Sequence, residues 1–247
     1  MRETKGFLVL ADISGYTTFV RSHKMGKIPF LGQRMANTSQ IHAETVITDL
    51  LETMIDSVGD ALTLNKLEGD AIFFFRESAG GAEEVSALIQ TLSKVFDAFN
   101  QRVHDLMFCQ TCLCDCCQQM TQLKVKIFAH YGDFLIKQVA QFTELAGHDV
   151  IIAHRLMKNS VNSDEYLLLT ESLVHHDPNL TSRLKLEVGV ERYGEDQIKT
   201  FIHFPRFASR ESNHDSWFAR FRRMKAYFQI VRNRDELKLS TGQMSKP

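Results

Sequence analysis

Two aspartates interrupt segments whose composition is otherwise that of buried strands. Asp12 ends an apolar run that begins at Gly6, and Asp70 stands directly before the apolar run of residues 71–75. A carboxylate among apolar residues is costly to bury unless a partner or a metal ion neutralises it. Two such acids on neighbouring strands suit a pair of hard divalent cations whose shells are completed by phosphate oxygens. The alternative is that each aspartate caps a helix or a turn, which is a common role.

The five cysteines form a second candidate site, because all of them lie in one short segment. They are Cys109, Cys112, Cys114, Cys116 and Cys117. This clustering differs from the disulfide framework of a secreted domain, and it predicts thiols that are reduced or bound to metal. Four thiolates can enclose one Zn²⁺, or bind an iron–sulfur cluster or copper(I), but zinc sites usually draw two pairs from separate segments. The alternatives are exposed reduced cysteines in a loop, or a metal shared across a dimer.

Apolar periodicity predicts the elements that must position these residues. Residues 6–12 read as a strand followed by a turn and a short helix, and the spacing of apolar residues predicts helices at 47–58 and 85–103. Between these helices lies a hairpin formed by residues 61–65 and 71–76. The remaining predictions are a strand at 123–130 with a turn at Gly132, a loop at 142–147, a helix at 149–159, a strand at 166–170, a short helix at 171–175, and strands at 184–192 and 197–204. This order predicts an α+β fold in which helices cover an antiparallel sheet.

Length and charge limit the possible functions. The chain has 247 residues, of which 44% are hydrophobic, so it can bury a substantial core. The 29 Lys and Arg residues nearly balance 30 Asp and Glu residues, and this balance argues against nucleic acid as a partner. No apolar run reaches the roughly 18 residues that a membrane span needs, and the amino terminus leads directly into a strand, so we expect a cytoplasmic protein. We predict one domain at residues 1–208. We predict that the aromatic and basic extension at 209–247 is a helix that packs on the body or on a partner, and the alternative is that it binds RNA or lipid.

Four segments, taken together, resemble the catalytic domain of class III nucleotidyl cyclases, the adenylate/guanylate cyclase family. They are Ala11-Asp-Ile-Ser-Gly-Tyr-Thr-Thr-Phe19, Lys66-Leu-Glu-Gly-Asp-Ala71, Lys124-Val-Lys-Ile-Phe-Ala-His-Tyr-Gly132 and Gly147-His-Asp-Val-Ile-Ile-Ala-His-Arg-Leu156. The first two are similar to the metal motifs of the family, the third to its central strand, and the fourth to the helix with its transition-state residues. They occur in the order of the family. The resemblance implies a ferredoxin-like βαββαβ core, and the cysteine segment is similar to an insertion in an uncharacterised bacterial branch.

The resemblance also implies a role for individual residues. Asp12 and Asp70, with the carbonyl of Ile13 nearby, would hold two Mg²⁺ or Mn²⁺ ions. Lys66 and Glu144 fall on the positions that read the purine, and a lysine donor with a carboxylate acceptor suits the adenine of ATP. Their alternative is that both are solvated surface charges. In the family the metal ions and the purine readers belong to different subunits, so a homodimer is expected.

The phosphate end of the implied site departs from the family pattern. Arg155 matches the arginine that stabilises charge on the phosphate when the ribose 3′-hydroxyl attacks to form cyclic AMP. The alternative is that Arg155 is a helix residue that forms a salt bridge. An asparagine of the family is replaced by Ile151, a lysine by Glu195 and an arginine by Asp133. Each lost contact commonly costs about 10²- to 10³-fold in rate, although His154, Lys158 or Lys199 could partly replace them.

Two functions therefore remain open from the sequence. The first is an adenylate cyclase type of enzyme, with activity that is weak or absent. The second is a regulatory module with the cyclase fold, which binds nucleotide or metal without turnover and carries a metal or redox site at its cysteines.

Overall fold

The computed structural model describes the backbone of residues 1–21, 32–109 and 120–207, with side chains at 1–21, 43–107 and 120–207. The strands in this part are β1 (Arg2–Ser14), β2 (Thr63–Glu68), β3 (Ala71–Glu77), β4 (Lys124–Val139), β5 (Phe142–Ala146), β6 (Tyr166–Thr170), β7 (Glu187–Tyr193) and β8 (Asp196–His203). The helices are α1 (Tyr16–Arg21), α2 (Gly32–Val58), α3 (Ala82–Cys109), α4 (His148–Arg155), α5 (Glu171–Val174) and α6 (Leu180–Arg183), with 3-10 turns at Gly59–Ala61 and Met120–Gln122.

The strands form one sheet in the order β2-β3-β1-β4-β6-β8-β7, and β5 pairs with the far end of β4. Neighbouring strands are antiparallel except for β4 and β6, which run parallel. Strand β1 is central because it is apolar on both faces, and it pairs with β4 from Arg2 opposite Ile136 to Ser14 opposite Lys124. The α+β architecture predicted from the sequence is therefore confirmed.

Alternate residues of β1 belong to two separate cores. Phe7, Val9 and Ala11 pack with the apolar residues of α2 and α3. Leu8 and Leu10 face the other way and pack with apolar residues of β3 and of the short helix α4. Since side chains two positions apart share a face of a strand, Asp12 extends the row of Leu8 and Leu10. The face under α4 is thus the one that receives the carboxylate.

Several predicted elements are confirmed, some with new boundaries. Helices α2 and α3 contain the predicted helices and are longer, and the hairpin of β2 and β3 lies where it was expected. Phe73 and Phe74 are buried in the core, as expected for residues in a run of three phenylalanines. Helix α4 is shorter than predicted and ends at Arg155, while the four-residue helix α6 was not predicted.

The predicted turn at Gly132 is wrong, because β4 continues through this residue to Val139. A Cβ atom at position 132 would lie 2.2 Å from Oδ2 of Asp149, so the glycine makes room for an aspartate of α4. The predicted loop at 142–147 is also wrong, since it forms β5 after a two-residue turn in which Ala140 has a φ of 52°. Backbone hydrogen bonds to β4 build this strand, and its exposed residues give no apolar pattern that could reveal it.

The extension at 209–247 and the cysteines at 112–117 lie outside the described residues. Within the described part, none of the helices has the length and apolar character needed to cross a membrane.

Candidate functional site

Asp12 and Asp70 are brought together where β1 meets the hairpin of β2 and β3. Asp12 lies opposite Ala71 in the ladder, and the amide of Ile13 donates a hydrogen bond to the carbonyl of Asp70 at 3.1 Å. Both carboxylates are partly exposed at the edge of the core. The side chain of Ile13 is buried in the opposite core, and the role of its carbonyl remains a prediction.

Both acids are harder to ionise than ordinary aspartates. Burial, with a further contribution from the charge of Asp70, raises the pKa of Asp12 to about 6, and Lys126 opposes this rise. Burial also raises the pKa of Asp70, against a hydrogen bond from its own backbone and with the help of Glu44. Two adjacent carboxylates with raised pKa values form a site that a cation would stabilise.

The acid pair fits a divalent cation only if other ligands come from elsewhere. Among the side chains that the structure describes, no three His, Cys, Asp or Glu residues converge on one metal position. Mg²⁺ is commonly held by one or two carboxylates, with water and phosphate oxygens as its remaining ligands. Asp12 and Asp70 match that pattern, so the pair suits a cation that arrives with a phosphate.

A lysine that the sequence did not single out lies beside this pair. Lys126 is opposite Asp12 on β4, and its Nζ is 3.6 Å from Oδ1 of Asp164. The hydroxyl of Ser14 donates to the same carboxylate oxygen at 2.9 Å. Only the pairing of β1 with β4 reveals this neighbourhood, because Lys126 is separated from Asp12 by more than 100 residues of chain.

Lys66 and Glu144, the two predicted purine readers, are brought together within one chain. Nζ of Lys66 on β2 lies 4.0 Å from Oε2 of Glu144 on β5. The two strands are also joined by the side-chain amide of Asn65, which donates to the carbonyl of Thr143 at 3.0 Å. A cationic donor and an anionic acceptor thus stand side by side at this edge of the sheet.

Glu68 is a second partner of Lys66, at 3.0 Å between Nζ and Oε1. The same oxygen lies 3.1 Å from Nε2 of His154 on α4. Burial opposes ionisation of Glu68, but the hydrogen bonds from Lys66 and His154 outweigh it and hold the pKa of Glu68 below its ordinary value. The sequence assigned no role to Glu68, although its position two residues after Lys66 on a strand could have indicated a shared face.

Arg155 lies at the end of α4 and faces the beginning of β8. Its guanidinium donates to Oδ2 of Asp196 at 2.9 Å, and both side chains are substantially exposed. Nε2 of His148 lies 3.8 Å from the same oxygen. The structure therefore pairs the predicted phosphate-binding arginine with an acid that the sequence had not connected to it.

The three departures from the family pattern are all at the surface. Ile151 is 51% exposed on α4. Glu195 belongs to the turn between β7 and β8, next to Asp196. Asp133 on β4 pairs with Lys5 at 3.2 Å. Two of the three candidate replacements make contacts of their own. Lys199 pairs with Glu171 at 2.9 Å, and His154 contacts Glu68.

His130 is buried and connects three elements on the α4 side of the sheet. Its Nδ1 lies 2.9 Å from the hydroxyl of Thr170 and 3.2 Å from that of Ser172. Its Nε2 is 3.2 Å from Asp149, although the geometry falls short of a well-directed hydrogen bond. Asp149 also accepts a hydrogen bond from the amide of Asp133 at 2.7 Å. This group of contacts holds α4 against β4 and is not open to a substrate.

The architecture is that of class III adenylyl and guanylyl cyclase catalytic domains. The adenylyl cyclase CyaB from P. aeruginosa superimposes with a TM-score of 0.60 over 83% of this chain and 96% of that one, at 11% identity. A bacterial light-regulated adenylyl cyclase superimposes with a TM-score of 0.57 over 92% of this chain and 99% of that one, at 12% identity. The guanylyl cyclase Cya2 superimposes with a TM-score of 0.54 over 82% of this chain and 92% of that one, at 11% identity. At these identities the likeness establishes the fold alone.

Sequence comparison reaches a narrower part of the chain. The family described as "Protein of unknown function (DUF2652)" matches residues 47–166. A protein of Mycobacterium tuberculosis (strain ATCC 25618 / H37Rv), "Uncharacterized protein Rv2561/Rv2562", is 35% identical over 125 residues. That match spans 51% of this chain and 57% of the relative. The residues matched by the family include Lys66, Asp70, Glu144 and the whole of α4.

Proposed function

We propose that this chain is an adenylate cyclase type of protein that binds ATP with two Mg²⁺ or Mn²⁺ ions in a homodimer and converts it to cyclic AMP. The observation that carries the proposal is the pair of Asp12 and Asp70, two adjacent acids with raised pKa values on a cyclase fold. The cations would be held by these two carboxylates, and when bound they would activate the ribose 3′-hydroxyl and bind the triphosphate.

Lys66 and Glu144 form the second pair of the proposed site, and this pair favours adenine as the base. The ammonium of Lys66 can donate to a ring nitrogen, and the carboxylate of Glu144 can accept from the exocyclic amino group. Guanine presents an acceptor where adenine presents its amino group, so this pair would leave its polar groups mismatched. The 4.0 Å between the two side chains supports a single recognition site. The fold itself does not choose, since its neighbours include both adenylyl and guanylyl cyclases.

A homodimer is supported by apolar side chains exposed near the purine-reading pair. Leu64 and Leu67 on β2 are 42% and 52% exposed. Val139 and Phe142, which flank the turn from β4 to β5, are 51% and 60% exposed. Exposed apolar residues on two segments that lie side by side are typical of a surface that another protein covers. A second copy of the chain is the proposed partner.

The second candidate function is a nucleotide-binding module that does not turn over. The observation in its favour is the pairing of Arg155 with Asp196, because an arginine already neutralised by an acid is less available to a phosphate. Ile151 adds no polar contact at that end of α4. The metal and purine ends of the site would still bind ATP under this alternative.

A manganese-dependent assay with ATP and GTP tests both candidates. We expect the wild type to form more cyclic nucleotide from ATP than from GTP. We expect Asp70→Ala to form no cyclic nucleotide. The matched control is Asp60→Ala, which removes an exposed acid in the turn after α2. Product that persists in Asp70→Ala would contradict the two-metal assignment. If calorimetry finds metal-dependent ATP binding and the assay finds no product, the binding module is supported; if neither is found, both candidates fall.

We also propose that the cysteine cluster binds Zn²⁺ or another metal through its thiolates. We propose that the protein is located in the cytoplasm. The support comes from the sequence, since helix α3 ends at Cys109 and the other four residues lie outside the described part. Elemental analysis of the purified protein tests this proposal. We expect about one metal ion per chain, lost in Cys112→Ser with Cys114→Ser. A metal-free protein whose five cysteines all react with an alkylating agent would contradict it.

A further inference from the structure

The contacts of Glu68 form a chain from α4 to the edge strand β2. One oxygen of Glu68 contacts Nζ of Lys66 at 3.0 Å and Nε2 of His154 at 3.1 Å. Lys66 and Glu68 are two residues apart on β2, whereas His154 is 86 positions away from Glu68 in the sequence. One carboxylate oxygen therefore links the Lys66 ammonium to a residue of a different element.

His154 is itself held in a defined orientation. Its Nδ1 lies 2.8 Å from the carbonyl of Val150, and its ring meets the ring of Phe73 edge to face at 4.7 Å between centroids. A carbonyl oxygen only accepts hydrogen bonds, so Nδ1 carries a proton. Nε2 faces a carboxylate oxygen of Glu68, which is also an acceptor. A hydrogen bond to a carboxylate is charge-assisted and is stronger than a neutral one.

We propose that Glu68 and His154 are positioning residues that hold the ammonium of Lys66 in place to read adenine. The inference rests on the proposed function, and it adds two residues to the part of the site that selects the base. A free lysine side chain samples many rotamers, and ordering it in one position is unfavourable. Because Glu68 orders Lys66 before the nucleotide arrives, that cost does not reduce the affinity for ATP.

Glu68 does not use all the donors of Lys66, because an ammonium has three N–H groups. One N–H is directed to Glu68, and Glu144 lies on another side at 4.0 Å. A further N–H remains for a ring nitrogen. The neighbouring helix residue Arg155 faces β8, so α4 would support the base end of the site through His154 and the phosphate end through Arg155.

Two variants of His154 separate positioning from simple loss of packing. His154→Leu keeps an apolar side chain against Phe73 but removes the donor to Glu68. His154→Gln retains an N–H donor near the position of Nε2. Glu68→Gln is an independent variant that keeps the shape of the side chain and removes its charge, so the test does not depend on the folding of one protein. Circular dichroism confirms that each variant is folded.

The first measurement needs no nucleotide. Lysine acetylation, followed by mass spectrometry, reports how exposed and how ordered Lys66 is, with Lys94, an exposed lysine of α3, as the internal standard. We expect the rate at Lys66 relative to Lys94 to rise about 3-fold or more in both variants. Glu68→Gln removes the charged partner of Lys66, and His154→Leu removes the contact that fixes Glu68 against α4. We expect His154→Gln to remain close to the wild type.

The second measurement is the affinity for ATP and GTP with Mn²⁺ by calorimetry. We expect the ratio of ATP affinity to GTP affinity to fall about 10-fold in His154→Leu and to recover in His154→Gln. Unchanged labelling of Lys66 in both His154→Leu and Glu68→Gln would overturn the positioning role. ATP binding by the wild type with an unchanged ratio in His154→Leu would overturn the inference and leave the proposed function standing. A wild type that binds neither nucleotide would overturn both.

Discussion

The carboxyl group of Asp12 binds a proton more readily in the folded protein than in the unfolded chain. Its pKa rises from 3.8 to about 6 because burial and the charge of Asp70 disfavour the carboxylate. The stability linked to this group is therefore fully present below about pH 4 and is lost as pH rises through 6. A site for cations thus costs stability at neutral pH when no cation is bound.

The first prediction concerns this cost. We expect Asp12→Asn to raise the free energy of unfolding by about 2 kcal/mol at pH 8, since the amide has no charge to bury, and the gain to shrink as pH falls towards 4. Mn²⁺ should stabilise the wild type and have little effect on the variant. Urea unfolding at both pH values measures these differences, with Asp60→Asn as the exposed control. A variant less stable than the wild type at pH 8 would refute the prediction.

The second prediction concerns the contact between Arg155 and Asp196. Exposed ion pairs contribute little, so replacing the acid should release the guanidinium at small cost to stability. We expect Asp196→Asn to increase ATP affinity about 2- to 5-fold, because Arg155 becomes available to a phosphate. Calorimetry with Mn²⁺ measures the change.

The control for this variant is Glu77→Gln, which breaks the exposed ion pair of Glu77 with Arg2. That pair also joins an arginine to an acid, but it lies at the end of β3 away from Asp70. An equal gain in both variants would point to a general effect of charge and would count against a role for Arg155.

At the scale of elements, the contact between β4 and α4 determines where the helix stands. The side chain of Asp149 fills the space that a side chain at position 132 would need. Asp149 also accepts a hydrogen bond from the backbone amide of Asp133. Helix α4 carries His154 and Arg155, so a displacement of this helix would reach both ends of the proposed site.

The third prediction follows from this close contact. We expect Gly132→Ala to destabilise the protein by about 2 kcal/mol, because the new methyl group overlaps the Asp149 side chain and forces α4 to move. Thermal unfolding measures the loss. The control is Gly189→Ala on β7, where a Cβ atom would meet only the ends of the Thr200 and Ile202 side chains, at 2.9 and 3.2 Å. Equal losses in both variants would show that Asp149 is not the cause.

At the scale of the whole molecule, the proposed homodimer uses one edge of the sheet, at β2, and not the opposite edge, at β7. Leu67 is exposed on the edge strand β2, next to Lys66 of the proposed purine-reading pair. Val188 is 63% exposed on β7, the opposite edge strand. Both edge strands expose apolar side chains, but only those of β2 belong to the surface that we propose for the second copy.

The fourth prediction compares these edges. We expect Leu67→Asp to raise the dimer dissociation constant at least about 10-fold, because a carboxylate would be buried in the interface. Val188→Asp should leave it unchanged. Light scattering during size-exclusion chromatography, over a range of concentrations, measures both. A wild type that stays monomeric at high concentration would remove the dimer from the proposal.

Much of the fold could be predicted from local patterns. The apolar spacing of α2 and α3 is visible in the sequence because each helix buries one side against the sheet. Strand β5 could not be found in this way, since backbone pairing with β4 forms it while Phe142 and Thr143 stay exposed. Gly132 was misread because a glycine that permits close packing and a glycine that permits a turn look alike in a sequence.

The sequence by itself determined the types of group available to the site: two acids in apolar strands, a lysine in the hairpin between them and an arginine on α4. These are local facts, written in composition and spacing. Only the tertiary structure decided which groups meet, because the contacts join residues far apart in the chain. The distance from Glu68 to His154 is 86 positions and that from Arg155 to Asp196 is 41. Strand order and the placement of α4 create those neighbours, and no local pattern of apolar residues encodes them.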